Sequence, residues 1–98
     1  MAKIIFTISY EIKPEKREEY LSLAKDMKSH LNDSKGKNYN IYEQKNRKNN
    51  FSEVFVCSSM EEFDQLEDDQ DEKTEQLVGR LNGLLVNGMK YSTLIEVA

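Results

Sequence analysis

An α+β fold with the element order β-α-β-β-α-β and a single four-stranded antiparallel sheet is predicted by three features of the sequence. Ile4, Phe6, Ile8, Tyr10 and Ile12 alternate with Ile5, Thr7, Ser9 and Glu11, the period of a strand with one strongly apolar face. The pattern breaks at Lys13-Pro14 into a run with helical spacing, and proline suits a first helical position because the N–H it lacks has no intrahelical acceptor there. The same grammar then recurs as two closely spaced strands, a helical region and a last strand.

The first helix is expected from Pro14 to about Leu31. Glu15, Glu18 and Glu19 lie in its first turns and Lys28 and His30 in its last, the signs that the helix dipole favours at each end. Tyr20, Leu23, Ala24, Met27 and Leu31 form one apolar stripe, which should pack on the sheet. Asn32 to Gly36 reads as a loop, Tyr39 to Lys45 as a strand, Asn46 to Asn50 as a polar turn and Phe51 to Cys57 as the hairpin partner. Ser59-Met60-Glu61-Glu62 has the form of a capping box. The stripe that follows, Phe63 and Leu66, stops at the acidic run from Glu67 to Glu72 and resumes with Leu77, Val78, Leu81, Leu84 and Leu85, so two helical pieces are expected, ending at Asn87-Gly88. Lys90 to Val97 is the last strand, with Tyr91, Thr93, Ile95 and Val97 on one side.

Connections this short in this order give the ferredoxin-like arrangement, with both helical regions on one face of the sheet. Ile5, Thr7, Ser9, Val54, Val56 and Leu94 then fall on the opposite face, which is too apolar to be left wholly to water; a second copy of the sheet would cover it.

Composition limits the function classes. The 98 residues make one domain, residues 1–98, small enough to gain from association with a second copy. A net charge of −4 opposes a protein held mainly by phosphate contacts, so no nucleic acid partner is expected. Lys35, Lys37, Lys45, Arg47 and Lys48 cluster against Glu43 alone and read as a solvated loop and hairpin tip. The RNA-recognition motif shares the element order, but Phe51 to Val56 lacks its basic residue and glycines. One cysteine excludes an internal disulfide and fits a reducing compartment. The apolar run from Ile4 to Ile8 is too short for a signal peptide core or a membrane span, so the expectation is a cytoplasmic protein without membrane contact.

The stretch Ile8-Ser9-Tyr10-Glu11-Ile12-Lys13-Pro14-Glu15, the junction Phe55-Val56-Cys57-Ser58-Ser59-Met60-Glu61-Glu62-Phe63 and the broken second helical region before a final strand resemble the dimeric α/β-barrel superfamily, within it the antibiotic-biosynthesis-monooxygenase-like family. The resemblance covers nearly the whole chain and specifies fold better than chemistry. It implies a homodimer whose two sheets close into a barrel, with any small-molecule pocket lying in each protomer between sheet and helices. Family members that degrade haem or oxidise polycyclic phenols use an asparagine on the first strand and a tryptophan on the third, and the haem-degrading branch adds a histidine on the second helical segment. Here the first two positions fall at Ile8 and Cys57, the chain has no tryptophan, and its one histidine, His30, lies on the first helix. Haem degradation is therefore disfavoured, and no cofactor is expected.

The sheet face towards the helices should carry Phe6, Ile8, Tyr10, Phe55, Cys57, Tyr91 and Thr93, met by Phe63, Leu66, Leu77 and Leu81. This set reads either as a filled core or as the wall of a small apolar pocket. The candidate pocket residues are Tyr10, Phe6, Ile8, Phe55, Cys57, Phe63 and Tyr91, with the phenols of Tyr10 and Tyr91 as polar anchors. Cys57 has no histidine beside it and no CxxC spacing, and reads as a buried, inert thiol. The acidic run lacks the glycine turn and terminal glutamate of a calcium loop, so no metal site is expected. Two functions stay open: a cofactor-independent monooxygenase-like enzyme acting on a phenolic or polycyclic small molecule, and a non-catalytic dimeric module that binds a small apolar metabolite or supports assembly.

Overall fold

The computed structural model describes residues 2–68 and 71–98. The alternating run becomes β1 (Ile4–Glu11), central in a sheet that also holds β2 (Tyr39–Glu43), β3 (Asn50–Cys57) and β4 (Lys90–Ile95). The strand order is β2-β3-β1-β4 with every neighbouring pair antiparallel. The fold is thus α+β and ferredoxin-like, with its four-stranded antiparallel sheet as expected. Register places Ile8 opposite Glu53 on one side and Tyr91 on the other, and Phe6 opposite Phe55 and Thr93. Because side chains alternate across a strand, these residues share the face that carries the buried Ile4, Tyr10, Tyr39, Phe51 and Cys57.

The first helical segment opens with a 3-10 turn at Pro14–Lys16, continues as α1 (Arg17–Lys28) and ends in a π-helical stretch, Ser29–Ser34. The helical path therefore runs three residues past the expected end at Leu31, into what reads as a loop in the sequence. Its wide last turn lets Asn32 turn back on β2: its side chain accepts from the Tyr39 N–H at 3.1 Å and donates to the Tyr39 carbonyl at 2.9 Å. Gly36, at φ 66°, then reverses the chain in a conformation that suits a residue without a Cβ. The stripe of α1 buries Tyr20, Leu23 and Met27.

The second helical region is two pieces, α2 (Met60–Asp68) and α3 (Glu72–Asn82). The acidic run between them includes Asp69 and Gln70, which lie outside the described residues. At the start of α2 the Ser59 hydroxyl accepts from the Glu62 N–H at 3.2 Å, as a cap should, but Glu62 reaches back to the N–H of Ser58, not of Ser59. Asp71 caps α3 by accepting from the Thr74 N–H at 2.8 Å. The expected end of this helix at Asn87-Gly88 is corrected: α3 stops at Asn82. Leu84 and Leu85, read as helical stripe, instead follow the end of β1. Lys13 N–H donates to Leu84 O at 2.9 Å, Leu85 bridges Ile12, and Val86 N–H donates to Glu11 O at 2.9 Å. Burying Leu84 while satisfying these backbone groups outweighs another turn of helix. Strand ends also contract, β2 to Glu43 and β4 to Ile95; just beyond them Gln44 N–H still donates to Asn50 O at 2.8 Å and Glu96 N–H to Lys3 O at 2.9 Å, but the paired ladder goes no further.

The core joins Tyr10, Ile12, Tyr20, Leu23, Met27, Tyr39, Phe51, Leu77, Leu81 and Leu84. No described helix is long and apolar enough to cross a membrane.

Candidate functional site

The side of the sheet interior towards α2 and α3 is not filled. A cleft of about 700 Å³ opens there. Its floor is the strand trio Phe6-Ile8 on β1, Glu53-Phe55 on β3 and Tyr91-Thr93 on β4; Phe63 and Leu66 of α2 and Leu77, Val78 and Leu81 of α3 form the opposite wall. The aromatic rings are mutually ordered: Phe6 lies edge-on to Phe63 at 5.7 Å and nearly parallel to Tyr91 at 6.1 Å between centroids.

Of the residues the sequence singles out for a pocket, Phe6, Ile8, Phe55, Phe63 and Tyr91 line this cleft. Tyr10 and Cys57 are not on its wall. Tyr10 is only 5% exposed in the core, where its hydroxyl sits 2.7 Å from that of Tyr20. Cys57 is buried at the end of β3, opposite Ile4, and burial together with nearby Glu62 pushes its thiol pKa up, away from the nucleophilic thiolate. Tyr91, by contrast, is 65% exposed and donates to the Met89 sulfur at 3.5 Å.

The residue that composition does not advertise is Glu53. It is a carboxyl only 5% exposed, on the cleft floor between Phe51 and Phe55. The Tyr39 hydroxyl donates to its Oε1 at 2.6 Å, and the Tyr10 hydroxyl faces it at longer range, close enough to favour the ionised form. Desolvation outweighs both and raises the carboxyl pKa above its usual range. Burial is also the main cause, ahead of the Glu53 charge, that pushes the Tyr10 and Tyr39 phenols far up. The signal for Glu53 was present in the sequence as parity: once Val54 and Val56 face outward, Glu53 must face in. A charged residue in an alternating pattern is easily read as marking the solvent side.

Two lysines expected to be solvated also reach this region. Lys35 and Lys37 line the cleft and are half-buried, with Lys35 Nζ 3.4 Å from Asp71 Oδ2. His30, expected as a simple cation at a helix end, lies with Nε2 3.2 Å from Asp71 Oδ1. Asp71 thus ties the π-helical stretch to the start of α3. The Thr74 bonds, followed by His30 and Lys35, hold its carboxyl well below the usual carboxylate range. Among the described residues, no group of histidine, cysteine and carboxylate side chains could hold a metal ion.

No protein-family model matches the chain, and no curated protein matches its sequence. Solved structures do match its fold. A Caulobacter crescentus CB15 protein, provisionally named an antibiotic biosynthesis monooxygenase, superposes with a TM-score of 0.83 at 12% identity, covering 99% of this chain and 92% of that one. A conserved protein from Methanosarcina mazei Go1 gives 0.81 at 17% identity over 96% and 92%. A structure named antibiotic biosynthesis monooxygenase gives 0.73 at 17% identity over the full length of both. At these identities the likeness is one of fold, and the fold is that of antibiotic-biosynthesis-monooxygenase-like proteins.

Proposed function

We propose that the protein is a homodimer that binds a small, planar, largely apolar molecule bearing a phenolic hydroxyl, and that it acts on this molecule as a cofactor-independent monooxygenase. The cleft supports the first part: Phe6, Phe55, Phe63 and Tyr91 surround a space large enough for two or three fused rings, within the usual range of about 300–1,000 Å³ for ligand sites. In the reaction, the phenol loses its proton, the electron-rich ring passes electrons to dioxygen, a C–O bond forms, and the resulting hydroperoxide loses water. One phenol and one O2 give one quinone and one H2O.

Association is supported by the outer face of the sheet, where Ile5, Thr7, Val54 and Val56 are half-buried and Leu94 is 56% exposed. Light scattering should report about twice the 11.5 kDa chain mass. A monomer at micromolar concentration removes the dimer from the reading.

A second reading, binding without turnover, is favoured by one observation: Ile8 and Cys57 occupy the positions where the family's oxidative members carry asparagine and tryptophan. Both readings are tested by titrating 2-naphthol, followed by its fluorescence, while oxygen uptake is measured. Saturable binding with uptake supports the oxygenase, and saturable binding without uptake supports the binding module. Ile8→Trp should abolish binding in either case, since Ile8 stands half-buried on the cleft floor and the larger indole takes up the space a ligand needs. No saturable binding to the wild-type protein removes both.

A further inference from the structure

Glu53 is expensive to keep where it is. A carboxyl between two phenylalanines of the same strand face, only 5% exposed, loses most of its hydration. The described structure places no cation against it: its hydrogen-bond partner is the Tyr39 phenol, and the Tyr10 phenol, itself bonded to Tyr20, faces it. A carboxylate offers about four acceptor positions, and Tyr39 uses one of them on Oε1. The remaining capacity is shared between the Tyr10 phenol and the aromatic cleft, whose floor Glu53 lines.

Resting on the reading of this cleft as a ligand site, we propose that Glu53 is its specificity-determining residue: it accepts a hydrogen bond from the hydroxyl or amino group of an uncharged aromatic ligand and excludes aromatic carboxylates. Tyr39 is the positioning residue that fixes the carboxyl. The physical grounds are asymmetric. A ligand O–H or N–H directed at Glu53 completes the hydrogen bonding of a buried acceptor, and such a bond to a charged group contributes more than a neutral one. Above the pH at which Glu53 loses its proton, a ligand carboxylate in the same place sets two like charges together in a poorly solvated space, and an unsubstituted arene leaves the acceptor unsatisfied. Lys35 and Lys37 also line the cleft and are the groups that could rescue an anion. Lys35 lies against Asp71, and Lys37 in the field of Glu62, so both face acids of their own.

The test compares naphthalene, 2-naphthol, 2-naphthylamine and 2-naphthoate binding to the full chain at pH 8, on the side of the titration that favours the ionised carboxyl. In the wild type, 2-naphthol and 2-naphthylamine should each bind at least about tenfold more tightly than naphthalene, the value of one hydrogen bond to a charged acceptor, and 2-naphthoate more weakly than naphthalene. Glu53→Gln should erase most of the naphthol advantage and admit 2-naphthoate. If that variant does not fold, Glu53→Leu combined with Tyr39→Phe replaces the polar pair by apolar groups and should bind naphthalene and 2-naphthol equally. Equal wild-type affinity for all four compounds overturns this proposal alone. So does tight 2-naphthoate binding that Lys35→Ala removes. Failure of all four to bind the wild type overturns the cleft reading, and this proposal with it.

Discussion

The two halves of the sheet's inner face are built from similar residue types and end up differently. Beneath α1, Tyr20, Leu23 and Met27 meet Tyr10, Tyr39 and Phe51, and Tyr20, Leu23 and Tyr39 have no exposed surface. Beneath α2 and α3, Phe6, Phe55 and Phe63 stay half-buried while Tyr91 and Ile95 are more than half exposed. The difference comes from the helices. α1 carries an uninterrupted stripe of large side chains over three turns, whereas the stripe of α2 is Phe63 and Leu66 and then breaks at the acidic run. A continuous helix can close over a sheet. Two short ones with a broken stripe leave space, and the aromatic rings that would have been core become a wall.

The contrast can be broken most directly by truncating one ring on each side. Tyr20→Ala should destabilise by about 3–5 kcal/mol in urea unfolding, because a fully buried ring leaves a cavity and an unpaired Tyr10 hydroxyl. Phe63→Ala should cost about 1–2 kcal/mol, since that ring is only partly buried, on the wall of an open cleft, and no new cavity is enclosed. Equal costs would show that the cleft is closed in solution.

Next in size is the pH dependence set by Glu53. Its pKa is raised above 4.5 in the folded protein, so its proton stabilises the fold fully below about pH 4.5, and this contribution is lost as pH rises through the folded-state value. Glu53→Gln keeps an acceptor for Tyr39 and cannot ionise. It should therefore melt above the wild type at pH 8, and the gap should close towards pH 4. A constant gap across that range would mean that Glu53 keeps an ordinary pKa.

Tyr10→Phe sharpens the same boundary from the filled side. The hydroxyl is bonded to Tyr20 and stands off the cleft wall, so its loss should lower stability by about 1–1.5 kcal/mol while changing 2-naphthol affinity less than threefold. A large affinity loss at unchanged stability would place Tyr10 in the site.

The smallest effect belongs to the hairpin tip. Arg17 donates to both Glu43 oxygens, at 2.6 and 2.9 Å, and Asn49 N–H donates to Glu43 Oε2 at 2.8 Å, which together hold the carboxyl down at about 2. With a folded-state pKa below its ordinary 4.5, Glu43 contributes stability that is present above pH 4.5 and lost as pH falls towards 2. Glu43→Gln should flatten the acid limb of the stability profile slightly and leave both halves of the sheet interior unchanged.

How much of this was legible follows from what each signal depends on. Strand parity along β1 and β3 and the stripes of α1 and α2 are local periods, and they placed Phe6, Ile8 and Phe55 on the inner face and Phe63 against it correctly. Helix ends were less legible. Leu84 and Leu85 continue the α3 stripe in sequence, but their backbone groups pair with Lys13 and Ile12 seventy residues away. Asn32 to Ser34 looks like a loop, yet the bonds between Asn32 and Tyr39 keep it helical. Glu53 was implied by parity and missed as chemistry, because a charge alone does not reveal that its partners will be two buried phenols.

The sequence by itself determined the element order, the face of each strand and the break between α2 and α3, since each is written in the spacing of apolar residues along a short stretch of chain. Only the tertiary structure decided which apolar residues became core and which became wall. Periodicity shows that a side chain points inward, but the depth at which it is covered depends on how far a helix from another part of the chain reaches across it. The position of Glu53 between Tyr39 and the open cleft is a result of the same kind, fixed by packing distances that no local pattern encodes.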